Sequence, residues 1–483
     1  MADTIRFLLG DEERALTGVA PTLTVLEYLR RHERLTGTKE GCAEGDCGAC
    51  TVVLAELDGE GGLRHRAVNS CIQFVSVLHG RQLIAVEHVK GADGGLHPVQ
   101  RALVEKHGSQ CGFCTPGFVM QLYAGWLEGA LTDRQAVKDW LAGNLCRCTG
   151  YGPIVEAGIE AGKAAGPDRR ALAQTAKRAA ALDHSEMLHL TNGEAQVFAP
   201  RSADELAEVY AANPDAVIVA GATDVGLWVT KQHRSLKTLI DVTRVKDLAT
   251  IEEADEGLTI GATVSHRDAT AALARLHPDL GELERRFASI QIRNAGTVGG
   301  NIVNGSPIGD LPPALIALGA TLTLRKGSAR RTMPLEDFFI AYGRQDRAPG
   351  EFVERVFVPR LTPDMRFACY KISKRFDQDI SAVTGAFRVT LRRGKVAEAR
   401  IAYGGMAATP KRANAAEAAL VGKPFDERAV AEAAEALAND FSPITDIRAS
   451  AGYRLKTAQN LLRRFHLENG GDERPAARVL ELA

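Results

Sequence analysis

Eight of the nine cysteines lie between Cys42 and Cys148, and only Cys369 lies elsewhere. Cys42, Cys47 and Cys50 share one loop, separated by four and two residues, and Cys71 stands alone downstream. This is the spacing of plant-type [2Fe–2S] ferredoxins. Each iron needs two thiolates, so three ligands come from a loop wrapped around the cluster and the fourth from a distant segment. Gly41, Gly45 and Gly48 allow that loop to turn tightly and bring backbone N–H groups towards the sulfides. A structural zinc site would use paired short spacings, which this loop with its lone partner does not match.

The second set is Cys111-x2-Cys114 with Cys146-x-Cys148. The run Cys111, Gly112, Phe113, Cys114, Thr115, Pro116, Gly117 puts two thiolates on a turn at a helix N-terminus, where the dipole and free N–H groups favour negative charge. Taken alone, these two pairs suit zinc as well as a cluster. Beside the first set they read as a second [2Fe–2S] cluster, a further stepping stone for electrons. Cys369, in a strand-like Phe-Ala-Cys-Tyr stretch, reads as a buried, unligated thiol.

No GxGxxG follows a strand and no GxxxxGK[ST] occurs, so a Rossmann site and a P-loop are both unsupported. Two other Gly-rich turns are present. One is Gly221, Ala222, Thr223, Asp224, Val225 after a strand-like Ile218, Val219, Ala220; the other runs from Ala295 to Ile302 through Gly296, Gly299 and Gly300. Both can aim consecutive backbone N–H groups at an anion, and two such nests suit a diphosphate. Without other signals, simple turns are the better explanation.

The elements that must position these residues follow from periodicity. Strands are predicted at 4–9 and 49–57 with a helix at 24–32 and a Gly-rich loop at 36–48 between them, the order of a small ferredoxin-like domain over 1–85. Apolar stripes predict four helices, at 99–106, 116–127, 133–142 and 154–164, making a helical domain over 86–165. Residues 166–190 are rich in Ala, Arg and Lys and read as a surface linker, partly helical. The region 191–366 mixes strands (216–220, 238–241, 258–260, 321–324) with helices (203–212, 312–318). A last domain, 367–483, starts with strands (369–372, 384–391, 397–406) and ends with helices (413–420, 429–438, 449–464). The fold class is α+β and multidomain.

At 483 residues the chain is too long for a single core. Its 45% hydrophobic and 25% charged content is that of folded globular protein. A net charge of −1 gives no electrostatic footprint for nucleic acid or an anionic membrane. No apolar run reaches the roughly 18 residues of a membrane span, and the start lacks the pattern of a signal peptide. The cytoplasm is the expected location, and in a reducing compartment clustered thiols bind metal or do redox work rather than form disulfides.

Three segments carry a family resemblance. Glu40-Gly41-Cys42 through Gly45-Asp46-Cys47-Gly48-Ala49-Cys50, Gln110-Cys111-Gly112-Phe113-Cys114-Thr115-Pro116-Gly117, and Asn144-Leu145-Cys146-Arg147-Cys148-Thr149-Gly150-Tyr151 resemble the iron–sulfur segments of the xanthine dehydrogenase family of molybdenum hydroxylases. The resemblance implies a β-grasp ferredoxin-like domain, a four-helix [2Fe–2S] domain, an FAD-binding domain of the molybdenum hydroxylase type and a C-terminal α+β domain. It implies that Gln110 hydrogen-bonds a molybdopterin whose Mo centre belongs to another polypeptide, and that the helical-domain cluster lies beside that centre. The two Gly-rich turns, with the run from Asn304 to Leu311, resemble the family's FAD-binding domain. By position, Ile218, Val219, Ala220, Gly221, Ala222, Thr223, Asp224 and Val225 would cradle the diphosphate. Phe287, Thr297, Gly300, Asn301, Asp310, Val353 and Lys371 match further FAD contacts; Thr297 and Val353 stand where relatives often carry Ser and Leu. The run from Tyr370 to Ile380 resembles the family's segment near the flavin, where charge influences whether NAD or oxygen takes the electrons.

The implied function is the electron-transfer small subunit of a bacterial member, with two [2Fe–2S] clusters and FAD passing electrons to NAD as hypoxanthine or xanthine becomes urate. The partner would be a large molybdenum-cofactor subunit in an α2β2 heterotetramer, and no catalytic residue for hydroxylation lies on this chain. An aldehyde or N-heterocycle substrate remains the nearest alternative, and a zinc-stabilised interaction protein without redox activity a remote one.

Overall fold

A computed structural model describes residues 1–90, 94–182 and 186–470. Residues 183–185 of the expected linker and 471–483 of the expected last domain lie outside the described residues. The chain divides into two units, Met1–Lys246 with Ala288–Gly296, and Asp247–Phe287 with the residues from Thr297 onward.

In the first unit, β1 (Ile5–Leu9), β2 (Glu12–Leu16), β3 (Thr51–Leu57), β4 (Leu63–Asn69) and β5 (Gln82–Ile84) form one sheet in the order β2-β1-β5-β3-β4. Ile5 and Phe7 are buried and Arg6 is exposed, the alternation of a half-covered strand. A capping box between Thr24 and Glu27 starts a helical segment, Val25–Glu27 continuing into Tyr28–His32, that buries Val25, Leu26, Tyr28 and Leu29. This is the expected β-grasp arrangement, with the Cys loop between that segment and β3.

Four helices follow, Pro98–Glu105, Thr115–Leu127, Arg134–Leu141 and Gly152–Gly162. Their starts have local causes. Pro98, Pro116 and Pro153 sit in first turns, where a missing N–H costs nothing, and Asp133 accepts from the N–H groups of Gln135 and Ala136. Phe118, Met120, Leu122, Val137 and Ile154 pack together with Val53 and Ala67 of the first sheet.

The segment expected as a surface linker is a helix, Arg169–Leu182, that packs on the first sheet and buries Ala176, Ala179 and Leu182. Small side chains let a helix approach closely, so an alanine-rich stretch that looks solvated is partly core. Beyond it, β6 (Leu188–Asn192), β7 (Ala195–Ala199), β8 (Val217–Val219) and β9 (Thr238–Asp241) form a second sheet in the order β6-β7-β9-β8. One hydrophobic core joins Phe7, Val25, Phe74 and Leu78 to Leu188, Val197, Val219 and Leu239. The helix Ile290–Ala295, capped by Ser289, packs on β4 in this same unit.

In the second unit, β10 (Ile251–Glu253), β11 (Gly257–Gly261), β12 (Thr321–Lys326), β13 (Ala329–Pro334), β14 (Phe339–Ala341), β15 (Arg344–Gln345) and β16 (Phe352–Pro359) make an antiparallel sheet ordered β10-β11-β16-β12-β13 and a β14-β15 ribbon. Another sheet joins β17 (Met365–Ile372), β18 (Val383–Arg392), β19 (Lys395–Gly404) and β20 (Lys411–Arg412). Along β17, Phe367 and Cys369 pack into the cluster around the buried helix Leu311–Leu318. Ala368 and Tyr370 pack the other way, into the cluster around Phe387, Tyr403 and Phe465. Period-two alternation thus gives a sheet buried on both faces, the second face covered by the helices Asn414–Leu420, Glu427–Asp440 and Ala451–Asn469. Among the described residues no helix is long and apolar enough to cross a membrane.

Candidate functional site

The loop before β3 carries Cys42, Cys47 and Cys50, and Cys71 stands two residues beyond the end of β4. Cys50 and Cys71 are buried; Cys42 and Cys47 are partly so. The thiols form a closed set, with Cys42 hydrogen-bonded to Cys47 and Cys71, and Cys71 to Cys50. These bonds push Cys42 and Cys50 down and push their donors Cys47 and Cys71 up. Backbone N–H groups point at the sulfurs too, from Glu44 to Cys42 at 3.5 Å and from Ala49 to Cys47. Asn69, which no motif flagged, braces the loop by donating to the Gly45 carbonyl at 2.7 Å.

In the second set, Cys114 stands immediately before the helix Thr115–Leu127, at the helix N-terminus expected from the sequence, with no capping hydrogen bond from its side chain. Cys111 pairs with Cys148 and Cys114 with Cys146. Cys146 is buried, Cys111 and Cys148 are exposed, and Cys114 lies between. The Phe113 N–H and the Cys148 thiol hold Cys111 down. Burial and the Cys146 bond push Cys114 up to about 12. Burial opposes ionisation of Cys146, yet the Thr149 hydroxyl, donating to its sulfur at 3.2 Å, and backbone N–H groups bring it below the usual range. The Cys146 N–H donates to Tyr151 Oη at 3.1 Å.

Among the described residues no three His, Cys, Asp or Glu side chains surround a single ion position. The thiols of the second set approach instead as two pairs. Two thiolates per iron, with amide N–H groups aimed at sulfur, is the donor arrangement of a two-iron cluster.

The two Cys loops are locked together within the first unit. The Leu145 N–H donates to the Cys47 carbonyl at 3.0 Å, so the neighbour of Cys146 is bonded to the backbone of a cysteine in the first set. Asn144 donates to the Gly48 carbonyl at 3.1 Å. Gln291, 1% exposed, donates to Asn144 Oδ1 at 2.7 Å and Thr51 Oγ at 3.2 Å. Gly48 is required twice over, since its φ is +69° and a Cβ there would lie 2.4 Å from the Gly143 carbonyl. Gln110, the expected pterin contact, is exposed on the rim of the second set.

The first of the two Gly-rich turns expected at the flavin also lies in this unit. After β8, Ala222 takes φ +55°, and the N–H groups of Gly221, Ala222 and Thr223 make no hydrogen bond among the described residues. Consecutive free N–H groups around a left-handed residue form an anion nest. A Cβ at 221 would lie 1.8 Å from the Ala295 carbonyl, so only glycine fits. Of the expected cradle, Gly221 and Ala222 are buried, Asp224 is exposed and Val225 starts the helix Val225–Thr230.

The remaining residues expected at the flavin lie in the second unit. Here the nest reading of the 295–302 turn needs correction. Thr297 caps the helix Val298–Asn304 and takes the Gly300 N–H at 3.0 Å. The Val298 and Gly299 N–H groups go to the carbonyls of Val264 and Ala262. Those donors are spent within the protein. What the segment does offer is Asn301, whose Oδ1 is buried with no partner among the described residues. Phe287 packs on the His266 ring at 4.6 Å, and His266 faces the buried Glu284 carboxylate at 3.2 Å. Val353 is buried in β16, opposite Leu324. Asp310 and Lys371 are brought together as a buried ion pair, and Ser381 and Thr384 also donate to Asp310.

Comparison with known proteins fits this geometry. In chain order, residues 9–76 match the 2Fe-2S iron–sulfur cluster binding domain, 85–158 the [2Fe-2S] binding domain, 193–361 the FAD binding domain in molybdopterin dehydrogenase, and 368–469 the CO dehydrogenase flavoprotein C-terminal domain. A solved carbon monoxide dehydrogenase from Hydrogenophaga pseudoflava is 30% identical, with a TM-score of 0.52 over 56% of this chain and 94% of that one. The chain belongs to the molybdenum hydroxylase family. This hydroxylase-family chain also resembles quinoline 2-oxidoreductase from Pseudomonas putida 86, 29% identical with a TM-score of 0.51, over 55% of this chain and 93% of that one. Xanthine dehydrogenase of Drosophila pseudoobscura pseudoobscura is 34% identical over 90% of this chain, and that of Emericella nidulans 31% over 96%. This chain spans only 37% and 38% of those two proteins. It is an oxidoreductase chain with two [2Fe–2S] domains and an FAD-binding domain.

Proposed function

We propose that the chain is the electron-transfer small subunit of a bacterial xanthine dehydrogenase, working with a large molybdenum-cofactor subunit in an α2β2 assembly in the cytoplasm. Identity to xanthine dehydrogenases along 90% of the chain carries the substrate reading. Bound [2Fe–2S] clusters carry single electrons and bound FAD takes one or two, so together they can deliver the pair released by purine oxidation to NAD. The chain's own residues supply geometry for that task. Cys42, Cys47, Cys50 and Cys71 hold one cluster, and Cys111, Cys114, Cys146 and Cys148 the other. The exposed Cys148 and Gln110 stand on the side offered to the partner's pterin. The Leu145–Cys47 hydrogen bond makes a short bonded route between the two ligand sets. Gly221, Ala222 and Thr223 offer N–H groups to the FAD diphosphate, and Asn301 offers its unpaired oxygen to the same cofactor.

The likeness to quinoline 2-oxidoreductase favours one second reading, an N-heterocycle as substrate. Anaerobic addition of xanthine or quinoline to the co-purified complex separates the two. Xanthine should bleach the flavin and cluster absorbance and quinoline should not; the reverse result replaces the first reading with the second.

A further inference from the structure

We propose that Gln73 is a positioning residue for the flavin turn, gripping it from the segment that carries the cluster ligand Cys71; this rests on the reading that Gly221, Ala222 and Thr223 receive the FAD diphosphate. Gln73 is 4% exposed, and its Nε2 donates to the Gly221 carbonyl at 2.8 Å. Its own backbone is fixed by the Val25 N–H, which donates to the Gln73 carbonyl at 2.8 Å. The Gly221 carbonyl and the Ala222 N–H belong to one planar trans peptide, so they point in opposite directions. Holding the carbonyl therefore aims the N–H. It also strengthens that N–H as a donor, since hydrogen bonds in series polarise one another.

Something must hold this peptide, because Ala222 adopts φ +55°, a conformation disfavoured for a residue with a Cβ. The far end of the turn is fixed from the same segment. Gly226 lies against Ile72, and a Cβ at 226 would sit 2.6 Å from the Ile72 carbonyl. The Gly226 N–H closes the turn onto the Ala222 carbonyl at 2.7 Å. Ile72 and Gln73 thus clasp both ends of a three-donor nest while Cys71 beside them serves the first cluster.

The test uses the full chain with its clusters loaded and its flavin stripped. FAD is titrated into the wild type and into Gln73→Leu, Gln73→Glu and Ser76→Ala. Gln73→Leu removes the donor at nearly constant volume, and Gln73→Glu sets an acceptor against the carbonyl. Ser76 is the comparator, because it lies in the same segment but donates to Asp241 at 2.7 Å. Both Gln73 variants should raise the FAD dissociation constant by about tenfold or more. The Ser76 variant should leave it within about twofold, and the first cluster's EPR signal and midpoint potential should not move in any of them. Unchanged FAD affinity in both Gln73 variants would overturn the proposal. So would loss of the cluster signal in parallel with the flavin, which would make Gln73 a support of the cluster. If Gln73→Leu fails to fold, Gln73→Glu decides on the same two criteria. A wild-type chain that binds no FAD would instead remove the underlying reading.

Discussion

Cys148 is the residue at which the proposed electron order can be tested most simply. It is exposed and pairs only with Cys111 among the ligand thiols, so Cys148→Ser removes one ligand without disturbing a buried core. If the second set faces the molybdenum partner, xanthine-driven reduction should slow by roughly tenfold or more, while NADH still reduces the flavin at its normal rate. Stopped-flow absorbance of both half-reactions checks this, and equal loss of both contradicts the order. His97 makes a separate statement about stability. Burial lowers it to about 4, with its ring edge-on to Tyr123 and Trp126 and its Nδ1 accepting the Val99 N–H. Above pH 6.5 the ring is neutral whether the chain is folded or unfolded. As pH falls from about 6.5 towards 4, only the unfolded chain takes up the proton, so stability is lost in that window. Urea unfolding at pH 7.5 and pH 5 should show the loss, and His97→Asn, which keeps a capping side chain without titrating, should flatten it. An equal loss in the variant would assign it to other groups.

Among the elements, the short helix Ile290–Ala295 matters beyond its length. It brings Gln291 to the Asn144–Thr51 pair and Asn294 to the Ala67 carbonyl, at 2.8 Å. Gln291→Ala leaves the buried Asn144 Oδ1 without its donor and should cost about 1–3 kcal/mol, read as a lower urea midpoint. It should also weaken the clasp between the Cys loops, so the spin–spin coupling between the two reduced clusters should change in EPR. An unaltered midpoint and spectrum would show that the Leu145–Cys47 and Asn144–Gly48 bonds hold the loops without Gln291. Such contacts were not legible in sequence. Gln73, Asn144 and Gln291 are ordinary polar residues, and each acts on a backbone group or side chain brought near only by folding. The cysteines were legible, because metal ligation fixes residue type and spacing together. The strands and helices that carry them were legible through periodicity, as at 24–32, 99–106 and 133–142, while the caps at Thr24 and Asp133 came only with the structure. The second Gly-rich turn misled for the opposite reason. Its glycines suggested a nest, but the carbonyls of Ala262 and Val264, distant in sequence, take the N–H groups and make it a capped helix.

On the scale of the whole molecule, the order of parts along the chain was readable and the sharing of cores was not. Residues 193–361 match a single family domain, yet Val197, Val219 and Leu239 complete a core with the first sheet, while Asp247–Phe287 and the residues from Thr297 onward build a second unit. Apolar strand residues reveal that they will be buried but not against what. The same sharing sets the segment 71–73 against the turn 221–226. The most direct test of the account is an anaerobic xanthine titration of the purified complex, after iron, sulfide and flavin analysis. About four iron and four sulfide per chain, two clusters of two each, with FAD, are expected. Xanthine should then reduce both clusters, seen as two distinct EPR signals, and the flavin, and NAD should reoxidise all three. Clusters and flavin that stay oxidised under excess xanthine, while dithionite reduces them, would contradict it.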